Sequence, residues 1–152
     1  MKDFIINAII SIGISFAIIM FVGQIYILKE SSMVPTFQNN DVVIVEKITK
    51  HWDLSQEDIV IFRHEDKDLV KRIIATPGDT IQIINGIVYI NEEVYEDTYK
   101  KEEFLYAGIA QSKIILKEDE YFVMGDNRNY SMDSRDIGVI SKKNIIGKVL
   151  FH

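Results

Sequence analysis

Apolar and polar positions are distributed unevenly along this chain. Residues 4–28 carry no charged side chain, and only Asn7 and Gln24 are strongly polar among them. At about 1.5 Å per residue, roughly 20 such residues cross a bilayer core as a helix. A helix also satisfies its own backbone hydrogen bonds in lipid. The run is longer than the apolar core of a cleaved leader, and Ile27-Leu28-Lys29-Glu30 is a poor cleavage exit. It therefore predicts one retained transmembrane helix, an anchor over residues 1–30 with a body over 31–152. Lys2 and Asp3 flank one end, and Lys29 and Glu30 the other, so the flanking charges do not orient it.

Beyond the anchor the pattern shortens to runs of β-branched and apolar residues. These predict strands at 41–46, 58–62, 69–74, 80–84, 87–90, 113–116, 121–124 and 145–151. Asn85-Gly86 lies between two of them, the pair favoured where both central residues of a hairpin turn need positive φ. Pro77-Gly78 marks another turn. Many short strands with frequent turns predict a mainly β body, sandwich-like or barrel-like. The stretch 92–120 is crowded with Glu, Lys and Tyr and alternates weakly, so it is expected to be a small inserted subdomain or a flap.

Charge and composition then remove several function classes. The chain has 17 Lys+Arg against 23 Asp+Glu, a net charge of −6. An acidic body lacks the basic surface a general nucleic-acid binder needs, and offers no polybasic patch to anionic lipid. There is no cysteine, which excludes disulfides, thiol catalysis and Cys-ligated zinc. His51, His64 and His152 lie outside any cluster of Asp and Ser, so none is expected to serve as the base of a Ser–His pair.

Three clusters carry candidate chemistry. Ser32-Met33-Val34-Pro35-Thr36 follows the anchor, and Pro35 stiffens the segment that presents Ser32. A serine hydroxyl is a weak nucleophile until a base takes its proton. Lys71-Arg72-Ile73-Ile74 sits in an apolar strand; a lysine there usually faces solvent, but burial would disfavour its ammonium and leave a neutral amine able to act as base. The third, Gly125 to Gly138, is a polar loop whose two Arg, three Asp and two Ser suit a closed hydrogen-bond network.

In this order the clusters resemble bacterial type I signal peptidases of the Gram-positive form. The shared frames are Ser-Met-x-Pro-Thr, Lys-Arg-Ile-Ile-x-x-Pro-Gly-Asp and Gly-Asp-Asn-Arg-x-x-Ser-x-Asp-Ser-Arg-x-x-Gly, with the anchor directly upstream. The resemblance implies a Ser–Lys dyad in which Ser32 attacks the scissile carbonyl and Lys71 is the general base. It implies that Ser131 holds the lysine amine, that Asp133 and Arg135 support the site, and that Met33 and Pro35 shape it. It further implies cleavage of exported, signal-peptide-bearing preproteins after small residues, by a single-pass protein of the cell membrane with its β-rich domain on the extracytoplasmic side. The lipid bilayer is then a partner; no metal, cofactor or nucleic acid is expected. Glu30 departs from the family, which places serine or glycine two residues before the nucleophile. A carboxylate there would oppose a developing oxyanion, so either Glu30 points away or the oxyanion hole differs. Leu69 and Ala75 also replace the usual Tyr and Gly near the lysine. The alternatives are a specialised paralogue that processes pilin precursors, a non-catalytic pilus-assembly factor and a self-cleaving repressor. Retention of Ser32 and Lys71 weighs against the second, and the apolar helix in place of a DNA-binding domain against the third.

Overall fold

The computed structural model describes the backbone of residues 2–47, 54–99 and 102–151; His51, Trp52 and His152 lie outside the described residues. Helix α1 spans Lys2–Val22 and strand β1 spans Gly23–Ile27. The single helical run expected over 4–28 is thus divided. Gly23 is a poor helix residue, and the five residues from it pair antiparallel with β2, Val42–Glu46, in a register running from Gly23↔Glu46 to Ile27↔Val42. The side chains described on α1, Phe4 to Ile14, are all exposed and, apart from Asn7 and Ser11, apolar. Among the described residues no helix is long and apolar enough to cross a membrane.

The remaining strands are β3 (Ile59–His64), β4 (Lys67–Ala75), β5 (Thr80–Ile84), β6 (Ile87–Ile90), β7 (Glu93–Val94), β8 (Ile114–Ile115), β9 (Glu120–Met124), β10 (Ile140–Ser141) and β11 (Ile145–Phe151); a one-turn helix α2 covers Ser134–Ile137. They form two antiparallel sheets, of order β1-β2-β11-β3-β4-β9-β10 and β7-β6-β5-β8. The mainly β expectation holds. The small sheet also takes in β5 and β6, so it begins before the insertion expected at 92–120.

The described residues of the 92–120 stretch pack into the body. Asn85 and Gly86 have φ of 50° and 77°, as the hairpin turn requires. A Cβ at Gly86 would fall 1.9 Å from the Phe104 carbonyl oxygen, so glycine is what lets this stretch lie against the turn. Phe104 itself is buried with Ile74, Ile81, Val88 and Met124, the cluster that joins the small sheet to the large one. Two further clusters lie on the large sheet. One includes Phe62, Leu69, Ile73 and Val123; the other includes Met33, Phe37, Val43, Ile61 and Val70.

Strand β4 lies between β3 and β9 and is buried from Leu69 to Ala75. Such a strand ordinarily reads as a continuous apolar run. Lys71 and Arg72 interrupt this one with two interior cations, and an interior cation needs a partner. Their partners define the site.

Candidate active site

The segment that carries Ser32 is held at both ends. After β1 the chain leaves the sheet, and Leu28 N–H to Asp41 O (2.9 Å) with Asn40 N–H to Leu28 O (2.7 Å) closes the loop that contains Ser32. Inside it Phe37 N–H bonds the Met33 carbonyl at 3.0 Å, and both side chains are buried in the core. Met33 therefore fastens the residue beside Ser32 to the sheet. The Val34–Pro35 peptide is cis, and Pro35 is exposed.

Lys71 enters from β4, opposite Val60 on β3. Its side chain is 1% exposed, and its Nζ lies 2.8 Å from Ser32 Oγ. Two further contacts complete it: the Val70 carbonyl at 2.9 Å and Glu30 Oε2 at 3.3 Å. Ser32 Oγ also donates to Glu30 Oε2 at 3.2 Å. Burial pushes the Lys71 ammonium below the ordinary lysine value, while Glu30 and, more weakly, Asp133 work against that shift. Of the two alternatives for Glu30, pointing away does not hold: it turns onto Ser32 and Lys71, where the buried amine offers it an opposite charge.

The polar loop supports this pair from the other side. Asn127 N–H bonds the Ser32 carbonyl at 2.9 Å, and Asn127 Nδ2 bonds the Ser31 carbonyl at 3.1 Å. A Cβ on Gly125 would lie 2.5 Å from Ser32 O and 2.2 Å from Ser131 Oγ, so only glycine admits both. Asp133 fixes that glycine by accepting its N–H at 3.0 Å, and it caps α2 in a reciprocal box with Asp136. Arg135 grips Asp133 with Nε at 2.8 Å and Nη2 at 2.9 Å, and reaches the Arg128 carbonyl at 2.6 Å. Its guanidinium carbon stands 5.3 Å from the Phe104 ring centroid and 5.9 Å from that of Tyr106. The 92–120 stretch is thereby tied to the loop, and Arg128 pairs with Asp97 as well.

Arg72 turns to a second buried carboxylate. It donates Nε and Nη2 to Asp126 at 2.9 and 2.7 Å and Nη1 to the Glu57 carbonyl at 2.9 Å, and its guanidinium carbon lies 3.5 Å from the Tyr99 ring centroid. Thr36 Oγ1 donates to the same Asp126, so the segment that carries Ser32 is tied to β4 and to the polar loop through one ion pair.

The structure brings Ser32, Lys71 and Met33 together and places Asp133 and Arg135 one contact away. It does not give Ser131 the expected role: its Oγ is buried without a hydrogen-bond partner, and the Lys71 contacts go to Ser32, Glu30 and Val70. Sequence reasoning missed the inward turn of Glu30 and the anchoring work of Asn127, Gly125 and the Arg72–Asp126–Thr36 group. The one available signal was that Arg72 and Asp126 both lie in the matched frames without assigned roles.

A cavity of about 330 Å³ opens beside Ser32, lined by Tyr26, Leu28, Glu30, Met33 and Val70 among others. A second, of about 290 Å³, lies on the side of Lys71, Tyr130 and Met132; Glu30 and Ser32 line both. Fold and site together define a mainly β protein with a buried serine–lysine pair set in a surface cleft. Residues 1–152 match the family described as signal peptidase, peptidase S26, and the chain belongs to that family. It is 36% identical to signal peptidase I P of Bacillus subtilis subsp. natto, over 95% of this chain and 84% of that one. It is 33% identical to signal peptidase IB of Staphylococcus aureus, over 99% of this chain and 90% of that one. The crystal structure of a signal peptidase I from Enterococcus faecalis V583 superposes with a TM-score of 0.54 at 28% identity, covering 65% of this chain and 97% of that one.

Proposed function

We propose that this chain is a membrane-anchored serine endopeptidase that removes signal peptides from exported preproteins by a Ser–Lys dyad. The observation that carries the reading is the 2.8 Å contact between Ser32 Oγ and a Lys71 amine that is 1% exposed. A buried lysine is the kind whose neutral form becomes accessible, and a neutral amine can take a proton from a hydroxyl. The family membership and the named relatives support the same class of reaction.

The steps follow from these positions. Lys71 Nζ takes the Ser32 hydroxyl proton as Oγ attacks the scissile carbonyl carbon, forming the C–O bond. The oxyanion is met by the Ser32 backbone N–H, a type of donor worth about 10²–10³ in rate. The lysine then passes its proton to the leaving amine nitrogen as the C–N bond breaks, leaving an ester on Ser32. Water, deprotonated by Lys71, attacks that ester, and the proton returns to Ser32 Oγ. The cavity lined by Leu28, Met33 and Val70 would take the small side chain before the cleaved bond.

The membrane assignment rests on two apolar surfaces. The described face of α1 is apolar and exposed. Directly after it, the cross-strand pairs Ile25↔Ile44 and Ile27↔Val42 leave all four side chains exposed on the sheet. Water disfavours such continuous apolar surface, and a bilayer accepts it. The anchor is then the apolar N-terminal stretch that contains α1, and β1 joins the sheet of the body directly after that helix. The intact serine–lysine contact argues against a non-catalytic assembly factor.

The test is cleavage of a purified preprotein with an Ala-x-Ala site, in detergent, by the wild type, Ser32→Ala and Lys71→Ala. Cleavage by the wild type alone is expected. Turnover by either variant at the wild-type rate would overturn the dyad.

A further inference from the structure

Glu30 Oε2 lies 3.3 Å from Lys71 Nζ and 3.2 Å from Ser32 Oγ. We propose that Glu30 is a latch on the dyad: in the substrate-free enzyme its carboxylate holds Lys71 as an ammonium ion and turns the Ser32 hydroxyl away from its base, and a bound peptide displaces it. The inference rests on the dyad reading above.

Hydrogen-bond direction carries the first half. An ammonium has three protons to give and no lone pair. Lys71 has three acceptors in reach, namely Ser32 Oγ, the Val70 carbonyl and Glu30 Oε2. With all three occupied, the Ser32 hydroxyl cannot donate to Nζ, and the acceptor it finds is Glu30 at 3.2 Å. With Lys71 as an ammonium this set of contacts is complete and catalytically idle. For attack, the lysine must be neutral and must accept from the serine.

The other groups around Lys71 do not supply the same hold. Asp133 acts on it from the polar loop, but both its oxygens are engaged by Arg135. Val60 opposite on β3 is apolar. Lys29 and Tyr130 stand with Lys71 along the second cavity; Lys29 could only repel it, and both are exposed. Among the described residues, Glu30 is the carboxylate in direct contact with the amine.

Position carries the second half. Glu30 and Ser32 line both cavities, one on each side of the nucleophile, so a peptide extended past Ser32 must cross the Glu30 carboxylate. The Glu30 side chain is 38% exposed and can turn to solvent.

The acid limb of kcat/KM reports the free enzyme, and that of kcat the complex. In the wild type the kcat/KM limb should therefore lie at higher pH than the kcat limb. Glu30→Gln should bring the kcat/KM limb down by about one pH unit, the low end for an opposite charge at this distance because the carboxylate is partly screened, and leave the kcat limb in place. Glu30→Asp should keep the wild-type order. Coincident limbs in the wild type, an unmoved kcat/KM limb in Glu30→Gln, or loss of turnover at every pH would overturn the latch. A readout independent of turnover separates this from the protease assignment. Lysine side-chain NMR of the full chain in detergent, with the Lys71 signal assigned through Lys71→Met, should show its titration midpoint fall by about one unit in Glu30→Gln. An unchanged midpoint overturns the latch even if the preprotein is cleaved. A shifted midpoint supports it even if cleavage fails.

Discussion

Removing the Asp126 carboxylate should unseat the site from behind. In Asp126→Ala, Arg72 loses two charge-assisted bonds, at 2.9 and 2.7 Å, and Thr36 loses its acceptor. The side chains of the pair are 5% and 0% exposed, so water does not replace what is lost. Breaking such a pair by deleting one partner costs about 3–5 kcal/mol. Arg72 keeps the Glu57 carbonyl and the Tyr99 ring face, which sets the loss at the low end, about 3 kcal/mol. For a β body of this size that lowers Tm by roughly 10 °C. Thermal unfolding followed by circular dichroism in detergent measures it. The double variant Arg72→Met/Asp126→Leu should recover most of the loss, because it leaves no unpaired buried charge. A fall of less than about 3 °C, or a double variant no more stable than Asp126→Ala, would refute the reasoning.

Cleavage should fall as pH drops through the Lys71 pKa, since the base must be neutral; burial sets that pKa below the ordinary lysine value, and a kcat–pH profile with no acid limb below 10.5 would contradict it. In Gly125→Ala the new Cβ must displace Ser131 Oγ or the Ser32 carbonyl, and a misplaced nucleophile should cost about 10²-fold in kcat/KM, against an unchanged rate if the loop is slack. Ser131→Ala removes a buried hydroxyl that has no partner in the resting site, so urea unfolding should show no loss of stability while kcat falls. Parallel losses of stability and rate would make Ser131 a structural residue.

Much of the β framework was legible because its signals are local. The Asn85-Gly86 hairpin, β5, β6 and β11 fall at the residues their alternation and turn chemistry predict. Strand β1 was hidden because apolar content alone does not separate the last turn of a helix from an edge strand, and the alternation of Gln24 and Tyr26 with Ile25 and Ile27 spans only five residues. Strands β7 and β10 are two residues long and exist through pairing, which no local period records. Helix α2 is a single turn set by Asp133 and Asp136, inside a stretch that reads as loop.

The site divides in the same way. Ser32 and Lys71 were singled out through their frames, and a sheet that crosses from β1 to β4 brings these two residues, 39 positions apart, into contact. The direction Glu30 takes depends on the charge of one buried amine, a tertiary property that its place in the frame does not record. The Arg72–Asp126 pair shows the converse. Two charged residues in apolar surroundings 54 positions apart have each other as the available partner, although neither frame alone indicates it.

The most direct measurement is to trap the covalent intermediate. A preprotein with an Ala-x-Ala site is mixed with the full chain in detergent and quenched in acid, and the protein is digested and weighed by mass spectrometry. An ester of the substrate's new carboxyl end on Ser32 is expected in the wild type, with none in Lys71→Ala. An ester on Ser31, or rapid cleavage in which no ester ever forms on Ser32, would contradict a Ser32–Lys71 dyad.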